Sequence, residues 1–148
     1  MADTGAYTGR CACERVTLRI DGKPLATRQC WCRQCQQIAS GGPTNNAMFR
    51  TEDVTITGDV ASASWQANSG NSLTFSFCPA CGTQIYAQSS ARPHIMTMRL
   101  GAIDVPHDLK PELIIWAEDA PAWAVFDTRL EILPRQAPAP ASASTPGT

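Results

Sequence analysis

The sequence predicts a single, mainly β domain built around bound metal. Three observations carry that reading. Short segments alternate apolar and polar residues between turn-forming clusters. Helix signals are scarce, and no βαβ rhythm or repeat of about 20–50 residues runs along the chain. Seven cysteines gather by twos and threes instead of scattering.

Taken in order, VTLRI (Val16 to Ile20) alternates as a half-buried strand does. DVTITG (Asp53 to Gly58) repeats the pattern and ends at a glycine. SLTFSFC (Ser72 to Cys78) puts Leu73, Phe75 and Phe77 on one face and leads straight into Cys78. TQIYAQ, HIMTMRLGAI, ELIIWAE and TRLEIL are further strands. The stretches DGKP, SGN, ARP, DVPHDLKP and DAPA separate them as turns. One short helical turn is expected over RQCQQIAS (Arg33 to Ser40), stopped by the GGP that follows. From Gln136 the chain reads QAPAPASASTPGT, with nothing large and apolar to bury. We therefore expect a folded domain over 1–135 and a disordered tail over 136–148.

Length and charge narrow the function. A chain of 148 residues is the size of one domain and can bury a core without staples. Ten arginines and two lysines are dispersed and balanced by 13 acidic residues. The net charge of -1 argues against a nucleic-acid binder, which would show a basic patch. No apolar stretch approaches the roughly 20 residues needed to span a bilayer, so no membrane partner is expected. The start, MADTGAYTGRCACERV, lacks the basic-then-apolar order of a signal peptide. The expected compartment is the cytoplasm, where thiols stay reduced. An odd number of cysteines there points to metal rather than to a disulfide framework.

The spacings suggest how seven cysteines divide. Cys11-Ala12-Cys13 is CxC, and residues i and i+2 of an extended chain share a face. Cys78-Pro79-Ala80-Cys81-Gly82 is a CxxC knuckle, whose glycine permits a tight turn. Together these pairs can close a four-thiolate structural zinc site. Cys30, Cys32 and Cys35 form CxCxxC, in which three sulfurs can converge and Trp31 points away. Three thiolates leave one zinc position open, which separates catalytic from structural zinc. Spacing alone leaves other arrangements open. Cys32/Cys35 and Cys78/Cys81 could form one zinc ribbon that serves as a protein-binding module. The triple could be closed by His94 or His107, could store or sense thiol and metal, and Cys78/Cys81 could be a redox pair. Gly41, Gly42, Asn45 and Asn46 form a loop that fits a polar ligand or a plain turn.

The ordered blocks GRCAC, CWCRQC, FCPACGTQIY, LGAID and PELIIWAEDAPAW resemble the glutathione-dependent formaldehyde-activating enzyme (GFA, CENP-V/GFA domain) family. The likeness runs from about Gly9 to about Leu133. It implies a β-tent fold: several coiled antiparallel β-sheets around zinc sites, with little helix. It also implies a structural zinc on Cys11, Cys13, Cys78 and Cys81, and a catalytic zinc on Cys30, Cys32 and Cys35. The implied activity is carbon–sulfur lyase, joining formaldehyde and glutathione and reversing that reaction. The implied partners are thus a small thiol such as glutathione and an aldehyde. Trp31 stands where the family often has histidine.

Overall fold

The structure, a computed structural model, describes residues 6–67 and 70–140. It is mainly β, with one six-residue α-helix. Strands β1 (Ala6–Arg10), β2 (Thr17–Asp21) and β5 (Val54–Thr57) form a three-stranded antiparallel sheet in the order β1-β2-β5. A second sheet holds β3 (Ala26–Cys30), β4 (Thr44–Arg50), β6 (Ala61–Gln66), β7 (Ser72–Phe77), β8 (Gln84–Ser89), β9 (Ile95–Arg99), β10 (Leu113–Ile115) and β11 (Glu131–Ile132). Its order is β11-β10-β3-β4-β9-β8-β7-β6. The antiparallel expectation fails at one edge, where β10 runs parallel to both β3 and β11. Long connections separate these strands, so no tight hairpin imposes the antiparallel direction.

The helix α1 (Arg33–Ile38) falls where the sequence places it. Cys32 is its N-cap, its sulfur accepting from the Cys35 N–H at 3.3 Å. Ser40 at φ 61° turns the chain out of the helix, and the Gly41 N–H returns to the Gln36 carbonyl at 2.7 Å. That is the long bond of a Schellman stop. Strands β1, β3, β4 and β6 are not expected from the sequence. In β4, Ala47 and Phe49 face the first core while Asn46 and Met48 line a cavity on the other side. In β9, Met96 and Met98 face that core while Thr97 and Arg99 line the same cavity. A strand covered on both faces loses its polar half. At the far edge, β6 pairs through hydroxyls, Ser62 with Ser76 at 2.9 Å and Ser64 with Thr74 at 2.8 Å. In β1, a side chain at Gly9 would strike the Ala102 carbonyl, so the close approach of this strand to the turn after β9 requires glycine.

The main core lies between the sheets. Val16, Leu18 and Ile20 of the smaller sheet and its entry meet Phe49, Ile85, Met96 and Met98 of the larger. Burying each such side chain is worth about 1.5–3 kcal/mol. A smaller cluster on the other side of the large sheet joins Cys30 and Cys35 to Ile115 and Ala137, with Leu133 packed against it. Gln136 to Pro140 belong to this region, although composition places them in a disordered tail. Ala137 is buried, and the Pro138 carbonyl accepts from Arg28 at 2.7 Å. Residues 141–148 of that expected tail lie outside the described residues. Among the described residues, no helix is long and apolar enough to cross a membrane.

Candidate metal centres

Cys11, Cys13, Cys78 and Cys81 converge, their sulfurs all within 4.8 Å of one another. Two tight turns make this possible. Cys11 and Cys13 lie in a turn after β1, closed by the Glu14 N–H to the Cys11 carbonyl at 3.0 Å with Glu14 at φ 67°. Cys78 and Cys81 lie in the turn between β7 and β8, closed by the Gly82 N–H to the Cys78 carbonyl at 2.8 Å with Gly82 at φ 80°. The Cys13 sulfur is 3.6 Å from that of Cys11 and 3.7 Å from that of Cys78. A tetrahedral site with Zn–S bonds of about 2.3 Å has edges of about 3.8 Å, so the spacing fits. The Val16 N–H points at the Cys11 sulfur at 3.3 Å, and the Thr83 hydroxyl lies 3.2 Å from that of Cys81. Side-chain and backbone hydrogen bonds from Thr83 hold the Cys81 thiol down at about 5. Such bonds favour the charged sulfur a metal needs. Cys11 and Cys78 are buried in the main core, so this centre is continuous with the packing that joins the sheets.

Cys30, Cys32 and Cys35 form a second group under the same 4.8 Å limit. Cys30 ends β3, Cys32 caps α1 and Cys35 faces inward from its first turn. Trp31 points away, as CxC geometry predicts, and is buried against Trp123 and Phe126 at ring distances of 6.3 and 5.8 Å. Gln36 braces the turn: its Nε2 donates to the Trp31 carbonyl at 2.7 Å and to the Asp119 carbonyl at 2.8 Å. Hydrogen bonds from Cys30 and Cys32, then from Thr44, together with the Arg99 cation, hold the Cys35 thiol down at about 3. Hydrogen bonding to Cys32 and Cys35 and burial push Cys30 up. One thiol of the three therefore ionises first, and a cation is what lets its neighbours follow.

Among the described residues, no other His, Cys, Asp or Glu joins either group. Cys32 and Cys35 lie apart from Cys78 and Cys81, which removes the single-ribbon arrangement. His94 and His107 close neither group, and the His107 Nδ1 accepts from the Leu109 N–H at 3.1 Å instead. Both groups can hold a metal, and all-sulfur donor sets are compatible with zinc.

The two centres differ in surroundings. The three-cysteine group lines a cavity of about 680 Å³ whose floor is the outer face of β3, β4 and β9. A larger hollow of about 960 Å³ lies beside Tyr7, Lys23, Asp104 and His107, but it holds no cysteine. The three cysteines lie on the smaller cavity. There, Arg99 stacks on the Phe75 ring at 5.0 Å and donates to the Asn46 Oδ1 at 2.7 Å. Burial lowers the Arg99 pKa, and the three thiols oppose that shift.

The model of the glutathione-dependent formaldehyde-activating enzyme family matches residues 6–119. The chain belongs to this family. No curated protein matches it. Among solved structures, the crystal structure of a Rhodobacter sphaeroides protein is similar, with 19% sequence identity and a TM-score of 0.53. That likeness covers 68% of this chain and 90% of the other, and it bears on the fold alone.

Sequence reasoning overlooked Arg28 and Arg99 and left Asn46 in a loop. Asn46 is a strand residue facing the cavity, whereas Asn45 on the other face accepts from Gln29 at 3.0 Å. The available signal was alternation: Arg28 shares a face with Cys30, two residues on.

Proposed function

We propose that this family member is a zinc-dependent carbon–sulfur lyase acting on thiol–aldehyde adducts of the glutathione–formaldehyde kind. The observation that carries this reading is that Cys30, Cys32 and Cys35 converge, with no fourth His, Cys, Asp or Glu donor among the described residues, and open onto a cavity. In this reading Cys11, Cys13, Cys78 and Cys81 hold a structural zinc, and Cys30, Cys32 and Cys35 hold the catalytic one. Zinc bound by the three thiolates would supply a Lewis acid that keeps a substrate thiol ionised near neutral pH. In the lyase direction the C–S bond breaks with its electron pair left on sulfur, the hydroxyl proton leaves, and the carbonyl forms.

The chain's residues position this chemistry. Gln36 fixes the turn that presents Cys32 and Cys35. The Arg99 cation compensates the charge that gathers on the thiols. Met48, Leu73 and Phe75 line the cavity with apolar surface, which limits water beside the sulfurs. Exchange NMR with labelled formaldehyde and glutathione tests the activity. The chain should speed formation and breakdown of the adduct, and Cys32→Ser should abolish the gain. No acceleration by fully zinc-loaded protein contradicts the proposal.

A further inference from the structure

The cavity floor carries a row of three polar side chains on adjacent strands. Arg28 of β3 stands opposite Asn46 of β4, and Asn46 stands opposite Arg99 of β9. Each arginine is only 7% exposed, yet both line the cavity that holds the three cysteines. The Nε of each is buried without a hydrogen-bond partner. Among the described residues, neither arginine pairs with a carboxylate; their partners are the Pro138 carbonyl and the Asn46 amide oxygen. The Phe75 ring lies against the Arg99 guanidinium, with its centroid 5.0 Å from Cζ, and holds it in the wall.

Two buried, unpaired cations in one wall oppose folding stability and call for a compensating anion. The thiolates supply only part of it. Three thiolates around one divalent ion carry a single negative charge, whereas Arg28 and Arg99 carry two positive ones. Arg33 and Arg92 line the same cavity, and its acidic lining residue, Asp119, is exposed. At least one positive charge is left over for a ligand.

We propose that Arg28 and Arg99, bridged by Asn46, hold the carboxylate of an acidic thiol whose sulfur lies at Cys30, Cys32 and Cys35. Placing the sulfur rests on the lyase reading; placing the carboxylate does not. Arg28 and Cys30 are two residues apart on one strand face, about 6.6 Å, which suits a short spacer between acid and sulfur. A guanidinium meets a carboxylate through paired, charge-assisted bonds, so the site selects for an acid and against a neutral thiol.

Isothermal titration calorimetry on the zinc-loaded full chain tests this with three probes: 3-mercaptopropionate, 2-mercaptoethanol and propionate. The acidic thiol should bind on the order of tenfold or more tightly than the neutral one, and added phosphate should shrink that gap. Arg28→Gln and Arg99→Gln should each narrow the gap to about twofold, whereas Arg28→Lys should keep part of it. Equal binding of the two thiols to the parent chain overturns the proposal, as does a gap that survives both substitutions. The parent comparison and its phosphate competition decide the matter even where a variant fails to fold. If the zinc–thiol reading alone is wrong, the acidic thiol and propionate bind alike and still depend on both arginines. That result upholds the carboxylate site and removes the lyase reading.

Discussion

The sulfur of Cys13 lies 3.7 Å from that of Cys78, although 65 residues separate them in the chain. The contact joins the turn between β1 and β2 of the small sheet with the turn between β7 and β8 of the large one. A metal held there ties the two sheets together at the edge of their shared core. Structural zinc contributes on the order of 10 kcal/mol in small domains, against a total stability of about 5–15 kcal/mol. Cys78→Ser should therefore leave the chain largely unfolded at 25 °C. Circular dichroism of the purified variant, with and without added zinc, checks this.

Gln36 donates to the buried Trp31 carbonyl and to the Asp119 carbonyl of a different segment. Gln36→Leu leaves both without their donor, at about 1–3 kcal/mol for an unmet buried group. We expect moderate destabilisation in urea together with faster zinc loss from the three-cysteine centre. A chelator competition that shows equal rates for variant and parent would contradict the bracing role.

Trp31 is buried between Trp123 and Phe126, and its indole N–H donates to the Gln29 Oε1 at 3.1 Å. Trp31→Ala should cost about 3–5 kcal/mol, the range for emptying a buried aromatic site. Guanidinium denaturation measures it. Trp31→Phe should recover most of the loss, because it keeps the ring and gives up one hydrogen bond.

Asp104 clips the start of the chain to the loop after β9. It accepts from the Thr8 hydroxyl at 2.7 Å and from the Arg10 Nε at 3.0 Å. These bonds, Arg10 first and Thr8 second, hold its pKa below the usual carboxylate value. The folded state then binds that proton less readily than the unfolded state does. The stabilisation is fully present above the unfolded value of about 3.9 and is lost as pH falls toward the lowered folded value. Asp104→Asn should cost about 0.5–1 kcal/mol at pH 7, with solvent screening taken into account. The difference from the parent chain should shrink below about pH 4. Thermal unfolding across pH checks the sign.

The fold was legible where one strand face meets solvent. VTLRI and DVTITG alternate because their outer residues are exposed. TNNAMFR does not alternate, because Phe49 faces one core while Asn46 and Met48 face the cavity. The cysteine pairs and the triple were legible because spacing within one turn is a local property, whereas the meeting of Cys11 and Cys13 with Cys78 and Cys81 across some 65 residues is a tertiary result. The arginine wall was not, because Arg28, Asn46 and Arg99 meet only through cross-strand register, which no local pattern reveals. Gln136 and Ala137 were misread from composition. Small residues pack when a shallow site waits for them, as Ala137 does beside Ile115.

The central claim is that the seven cysteines form two separate centres, one closed and one open. Elemental zinc per chain, measured on the parent and on Cys32→Ser, tests it most directly. The parent should carry close to two zinc and Cys32→Ser close to one, with the circular dichroism of the fold unchanged. One zinc in the parent, with Cys32→Ser unfolding the chain, would place Cys32 in a single structural site and contradict the account.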